Sequence, residues 1–233
     1  MDQMGLPGSR RPVLLAPLAG AVVAVAAAAV TAGPSTAIGA THTRGTTSRG
    51  SVARQVIAYV TAAGTHTGTV TPIRTATNTA LPAVKIGRSP QHIAVTPDGK
   101  TAYVVNFNFR SGKVTPIRTA TNTALRPIKV GPGPNGIAIT PDGKTAYVPD
   151  GGSDTVTPIR TATNTALPVV KTGKTGSSPI AVAITPGGKT AYVLNFGAIN
   201  AGGGTVTPIR TATNKALRPV KAGNLPLAIA ITP

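Results

Sequence analysis

The sequence contains no cysteine, no tryptophan and no glutamate. Without cysteine there is no disulfide, no thiol catalysis and no thiolate-held metal. Without glutamate, paired-carboxylate chemistry falls to the few aspartates, since Asp+Glu is 5. Aromatic residues make up only 3%, so Val, Ile, Ala and Leu must fill any core. The only histidines, His42, His66 and His92, are scattered and give no ligand spacing for zinc. No nucleophile–base pair, phosphate loop or haem motif is visible. Basic residues never run together as a block, which argues against a dedicated basic arm.

What is present is ample for one packed domain: 233 residues, 41% of them hydrophobic. The 27 Gly and 22 Pro stay below the level that marks low complexity. Net charge is +18. That balance favours polyanions such as nucleic acid, anionic lipid or anionic wall polymer, or else simply keeps the protein soluble.

Residues 1–40 read as a signal peptide or N-terminal anchor. Ser9-Arg10-Arg11-Pro12 precedes the apolar run Val13–Val30, and small residues follow. The paired arginines fit an ordinary secretory signal or a twin-arginine one. The run is near the length that spans a bilayer. Either reading puts the rest of the chain outside the cytoplasm, secreted or at the cell surface, which makes nucleic acid an unexpected partner. Membrane contact is expected only through this segment. Residues 41–55, rich in Thr, Ser, Gly and Arg, read as a flexible linker.

Residues 56–233 are built on a repeat. Thr-Pro-Ile-Arg-Thr-Ala-Thr-Asn occurs unchanged at Thr71–Asn78, Thr115–Asn122, Thr157–Asn164 and Thr207–Asn214. Between the copies runs Thr-Pro-Asp/Gly-Gly-Lys-Thr-Ala-Tyr-Val, at 96–104, 140–148 and 185–193. Such a period predicts an all-β fold, a β-propeller of four-stranded antiparallel blades. In one unit, His92–Val95 is strand a, Thr101–Val105 strand b, Lys113–Arg118 strand c and Ala124–Val130 strand d. Pro-Asp-Gly-Lys and Thr-Ala-Thr-Asn are the tight turns a–b and c–d. Prolines 82, 127, 168 and 219 suit d as an outer edge. Prolines 72, 116, 158 and 208 sit in c and predict a bulge or a weakened c–d ladder.

The first b strand, at Ile57, lacks an a strand, and Leu227–Thr232 is an a strand lacking a b. The C-terminal strand is therefore expected to complete the N-terminal blade and close four repeats into a ring. A piece of a larger ring, or two chains sharing an eight-bladed one as a homodimer, fit the same phase.

Tyr59-Val60-Thr61-Ala62, Tyr103-Val104-Val105-Asn106, Tyr147-Val148-Pro149-Asp150 and Tyr192-Val193-Leu194-Asn195 resemble the signature of YVTN-family propeller repeats. The resemblance covers about residues 56–233. It implies a propeller related to those of surface-layer proteins, bacterial lactonases and the non-catalytic framework of nitrous oxide reductase. It implies no single activity. Where family members often carry Asp, this chain has Arg74, Arg118, Arg160 and Arg210. A copper centre of the nitrous oxide reductase kind is excluded by too few histidines.

Turns a–b and c–d are expected on one face, loops b–c and d–a on the other. The regular face collects Lys100, Lys144, Lys189 and the four arginines, a candidate basic ring for an anionic polymer. The other face carries loops of varied length, where recognition is usually built. There Asp150 and Asp154 flank Gly-Gly-Ser, a polar turn that could hold calcium. The once-per-blade tyrosines read as packing residues. No catalytic, cofactor-binding or metal residue is assigned and no cofactor is expected. The functional expectation is an exported, non-enzymatic binding or structural module, its partner a protein or an anionic wall polymer. The alternatives are a lactonase- or lyase-like enzyme and a fragment of a larger propeller.

Overall fold

The computed structural model describes residues 56–64, 67–174, 176–197 and 203–233. The expected signal, the linker, His42 and His66 lie outside the described residues.

Among the described residues every regular element is a strand, and four antiparallel sheets follow one another along the chain. Blade 1 holds β1 (Ile57–Ala62), β2 (Gly68–Arg74), β3 (Thr79–Ala80) and β4 (Val84–Ile86). Blade 2 holds β5 (Pro90–Val95), β6 (Thr101–Asn106), β7 (Lys113–Arg118), β8 (Thr123–Ala124) and β9 (Ile128–Lys129). Blade 3 holds β10 (Ala138–Ile139), β11 (Thr145–Asp150), β12 (Thr155–Arg160), β13 (Thr165–Ala166) and β14 (Val170–Lys171). Blade 4 holds β15 (Pro179–Ile184), β16 (Thr190–Asn195), β17 (Thr205–Arg210), β18 (Lys215–Ala216) and β19 (Val220–Lys221).

The strand c prolines explain why each outer strand is split in two. Tyr147 pairs with Pro158 in an unbroken β11–β12 ladder. The Pro158 carbonyl accepts from the Leu167 amide at 2.8 Å, so the proline's missing donor also faces the outer strand. There the ladder stops, and it resumes as Val156 opposite Val170. The expected weakening of c–d is present in all four blades.

Turn chemistry holds the other ends. The Thr96 hydroxyl donates to Asp98 Oδ1 at 2.6 Å, and the Lys100 amide donates to the same oxygen at 3.0 Å. Gly99 supplies the positive φ of 71° that this turn needs. In the c–d turns the left-handed residue is asparagine: Asn78, Asn122, Asn164 and Asn214 have φ of 51, 49, 52 and 52°.

Each blade packs on the next through the same residues. Tyr59, Val70, Val84 and Ile86 of blade 1 meet Ala102, Val104 and Ile117 of blade 2. Tyr103, Val114 and Ile128 then meet Ala146, Val148 and Ile159. Tyr147, Val156 and Val170 meet Ala191, Val193 and Ile209. A clasp accompanies each contact. The Tyr59 hydroxyl donates to Asn122 Oδ1 at 3.2 Å, Tyr103 to Asn164 at 2.6 Å and Tyr147 to Asn214 at 2.5 Å.

The expected closure by the C-terminal strand does not occur. Residues 227–232 form no strand, Leu227 is 64% exposed, and among the described residues β1 pairs with β2 alone. Blade 4 does not come round to blade 1, so residues 227–232 are not brought alongside β1: Tyr192 finds no partner among the described residues and Asn78 stays exposed.

Candidate functional site

The two turn types do share one face, and side chains stitch them together. Thr119, Thr161 and Thr211 of the c–d turns each donate a hydroxyl at 2.6 Å to the carbonyls of Gly99, Gly143 and Gly188 in the a–b turns. The register sets Thr101 opposite Arg118, Thr145 opposite Arg160 and Thr190 opposite Arg210. Each turn lysine therefore stands one residue from a position paired with an exposed arginine. Lys100 lies 3.8 Å from Asp98 and Lys144 lies 3.7 Å from Asp142, both pairs exposed and so weakly held. The Asp142 carboxyl is held below its usual range, first by the Thr140 hydroxyl and then by the Lys144 amide. Blade 4 has Gly187 where these aspartates stand, so its turn adds a lysine without a local carboxylate. A shallow open cleft beside this face, lined by Arg126, Lys129 and Asn164, adds further cations between blades 2 and 3.

On the opposite face the last residue of each full inner ladder is polar and buried: Asn106, Asp150 and Asn195. Asn106 accepts from the Thr115 hydroxyl at 2.7 Å and donates its amide to the Gly87 and Arg88 carbonyls at 3.1 and 3.2 Å. Asp150 accepts from Thr157 at 2.6 Å and Thr155 at 3.3 Å through Oδ2. Its Oδ1, standing where Asn106 offers an amide nitrogen, is buried without a partner. Burial pushes its carboxyl up to about 7, against the lowering pull of the two threonine hydroxyls.

Asp154 does not join Asp150 in a cation site. Its carboxylate accepts from the Gly176 and Ser178 amides, both at 2.8 Å, and from the Ser177 hydroxyl at 3.2 Å. It thus ties the b–c loop of blade 3 to the following d–a loop. No group of three metal-ligating side chains forms among the described residues. His92 lies in β5, half-buried, and burial lowers its pKa. Burial, and then the charges of Asp98 and Asp142, push Tyr103 and Tyr147 up to about 12. Both stay neutral at physiological pH, as packing residues do. Sequence reasoning missed the clasp, although the repeat of Tyr and Asn at one period signalled it. It also treated Asp150 as a loop residue, and its burial is visible only in the structure.

Antiparallel sheets that stack face to face by one repeated contact define a β-propeller array. The chain belongs to the family described as lactonase, seven-bladed β-propeller, whose model matches residues 53–196. Its structure is similar to that of Kuenenia stuttgartiensis hydrazine synthase, with a TM-score of 0.61 and 29% identity over 66% of this chain and 43% of that one. A functionally unknown protein from Desulfotomaculum acetoxidans matches with a TM-score of 0.60 and 20% identity, over 72% of this chain and 53% of that one. Dihydro-heme d1 dehydrogenase NirN, in complex with DHE, matches with a TM-score of 0.56 and 12% identity, over 75% and 39%. The last two likenesses speak for the fold alone. The chain spans about half or less of each of these structures. No curated protein matches the sequence.

Proposed function

We propose that this chain is an exported, non-enzymatic propeller of YVTN-type repeats that works at the cell surface as a binding module. Its ligand would be an anionic wall polymer, held on the regular face. The observation that carries this reading is the set of repeated cations, Lys100, Lys144 and Lys189 beside Arg118, Arg160 and Arg210, mounted on hydrogen-bonded turns. A polyanion with evenly spaced charges suits cations repeated once per blade. The described aspartates add support, because Asp142, Asp150 and Asp154 are engaged in holding turns and loops. The test is retention of the full chain on a purified anionic wall polymer across a salt series. Binding should weaken steeply as salt rises and fall when Lys100, Lys144 and Lys189 are replaced together by Glu. Retention that is indifferent to both salt and these substitutions would sink the reading.

Family membership favours a second reading, a lactonase-like enzyme. Turnover of a lactone by the purified chain, abolished by substituting His66, His92 or Asp150, would put it first.

A further inference from the structure

Blades 1 and 4 each leave open the half of the repeated contact that the other presents. At the face that receives a preceding blade, Val104, Val148 and Val193 are 0% exposed, whereas Val60 of blade 1 is 48% exposed. Ile117, Ile159 and Ile209 are fully buried, and Ile73 is not. At the face that covers a following blade, Val84, Ile128 and Val170 are 9, 6 and 7% exposed, whereas Val220 of blade 4 is 60% exposed. Tyr192 stands without the asparagine that Tyr59, Tyr103 and Tyr147 each hold. One edge is also unmatched. Among the described residues β1 has no inner strand such as β6, β11 and β16 have, and residues 226–233, Pro-Leu-Ala-Ile-Ala-Ile-Thr-Pro, repeat the pattern of β15 without pairing to a described strand.

We propose that a second copy of this chain fills these places, head to tail. Blade 4 of one copy covers blade 1 of the other as blade 3 covers blade 4. Tyr192 clasps the partner copy's Asn78, and Val220 and Val206 cover Val60 and Ile73. The segment 227–232 of the first copy adds to β1 of the second. Transferring the β15–β16 pairing, in which Ile184 faces Ala191 and Ala181 faces Leu194, gives the register: Ile231 opposite Ala58 and Ala228 opposite Thr61. The occupant is a second copy because the two open surfaces are the two halves of an interface this chain already makes three times. Their apolar residues, hydrogen-bond donor and acceptor, and strand register all correspond. Two such contacts close a ring of two copies, and one contact repeated without closure gives a longer array.

The experiment measures the mass of the full chain by light scattering. The wild type should have the mass of two copies or a regular series above it. Val60→Asp and Val220→Asp should each reduce it to one copy. An equimolar mixture of the two variants should restore two copies, because one intact contact remains between them. That restoration also shows that both variants fold. Because the chain has no cysteine, a second test needs no background correction. Mixed Thr61→Cys and Ala228→Cys chains should form an intermolecular disulfide, and Thr61→Cys mixed with Ala222→Cys should not. A wild-type mass of one copy overturns the proposal. So does a disulfide formed within one doubly substituted chain, which would mean closure by the chain itself. A mass that neither valine substitution changes would point to another occupant and also overturns it.

Discussion

Asp150→Asn should make the protein more stable, by an amount that depends on pH. Asn106 occupies the same place in blade 2, where its amide nitrogen donates to the Gly87 and Arg88 carbonyls and its oxygen accepts from Thr115. Asp150 has no such donor when ionised, and its Oδ1 is buried without a partner. Its folded pKa of about 7 lies above the ordinary 3.8. Between those values the folded state keeps a proton that the unfolded state has released. Stability therefore falls as pH rises from about 4 to about 7 and is lowest above that window. At about 1.36 kcal/mol per pH unit, the full loss is on the order of 4 kcal/mol. Asparagine supplies the donor at every pH and removes the loss. The assay is urea unfolding of both proteins at intervals from pH 4 to 8. His92, whose pKa burial lowers, works in the opposite direction, so the quantity to read is the difference between the proteins. That difference should be small at pH 4 and grow to ~2–4 kcal/mol at pH 8. A constant difference, or an Asn variant less stable at pH 8, would refute the reasoning.

Three further outcomes follow from the packing. Tyr147→Phe should cost ~1 kcal/mol, and Asn214→Gly should then add little, as a double-mutant cycle by thermal melting would read. Ile159→Ala, fully buried between blades 2 and 3, should cost ~2–5 kcal/mol in chemical denaturation, and Ile73→Ala clearly less. Gly112→Ala would set a Cβ 2.3 Å from the Gly131 carbonyl oxygen, so the melting temperature should fall by an amount equivalent to ~2 kcal/mol or more.

Local structure was largely legible. The period, the turn residues and the β-branched runs gave the strands and the sorting of the loops, because those depend on neighbours in sequence. The proline in strand c foretold a weakened c–d ladder, but strand d, expected as one strand over Ala124–Val130, is two short ones, Thr123–Ala124 and Ile128–Lys129. What was not legible depends on residues far apart. Asn122 reads as a turn former, and nothing near it in sequence reveals that Tyr59 binds it from another blade. Asp150 reads as a loop residue until its burial is known. Closure depends on the angle between blades, which the strand pattern does not encode, and there the expectation failed. Of the candidate site, the basic face was legible because turn lysines and repeat arginines share a register. The calcium reading of Asp150 and Asp154 failed, because adjacency in sequence hid two carboxylates committed to different partners.

The near-identity of the blades has a consequence for how the chain must fold. Each clasp is made of the same Tyr and Asn, so Tyr59 could hold Asn164 as well as it holds Asn122. The contact itself therefore carries almost no information about order. Order must come from the short connections between blades, which make the nearest neighbour the first to arrive. Lengthening the connection between Ile86 and Pro90 should admit skipped dockings, in which a blade is looped out and its neighbours join across it. The same indifference makes the array extensible, since a duplicated repeat meets surfaces that already fit it.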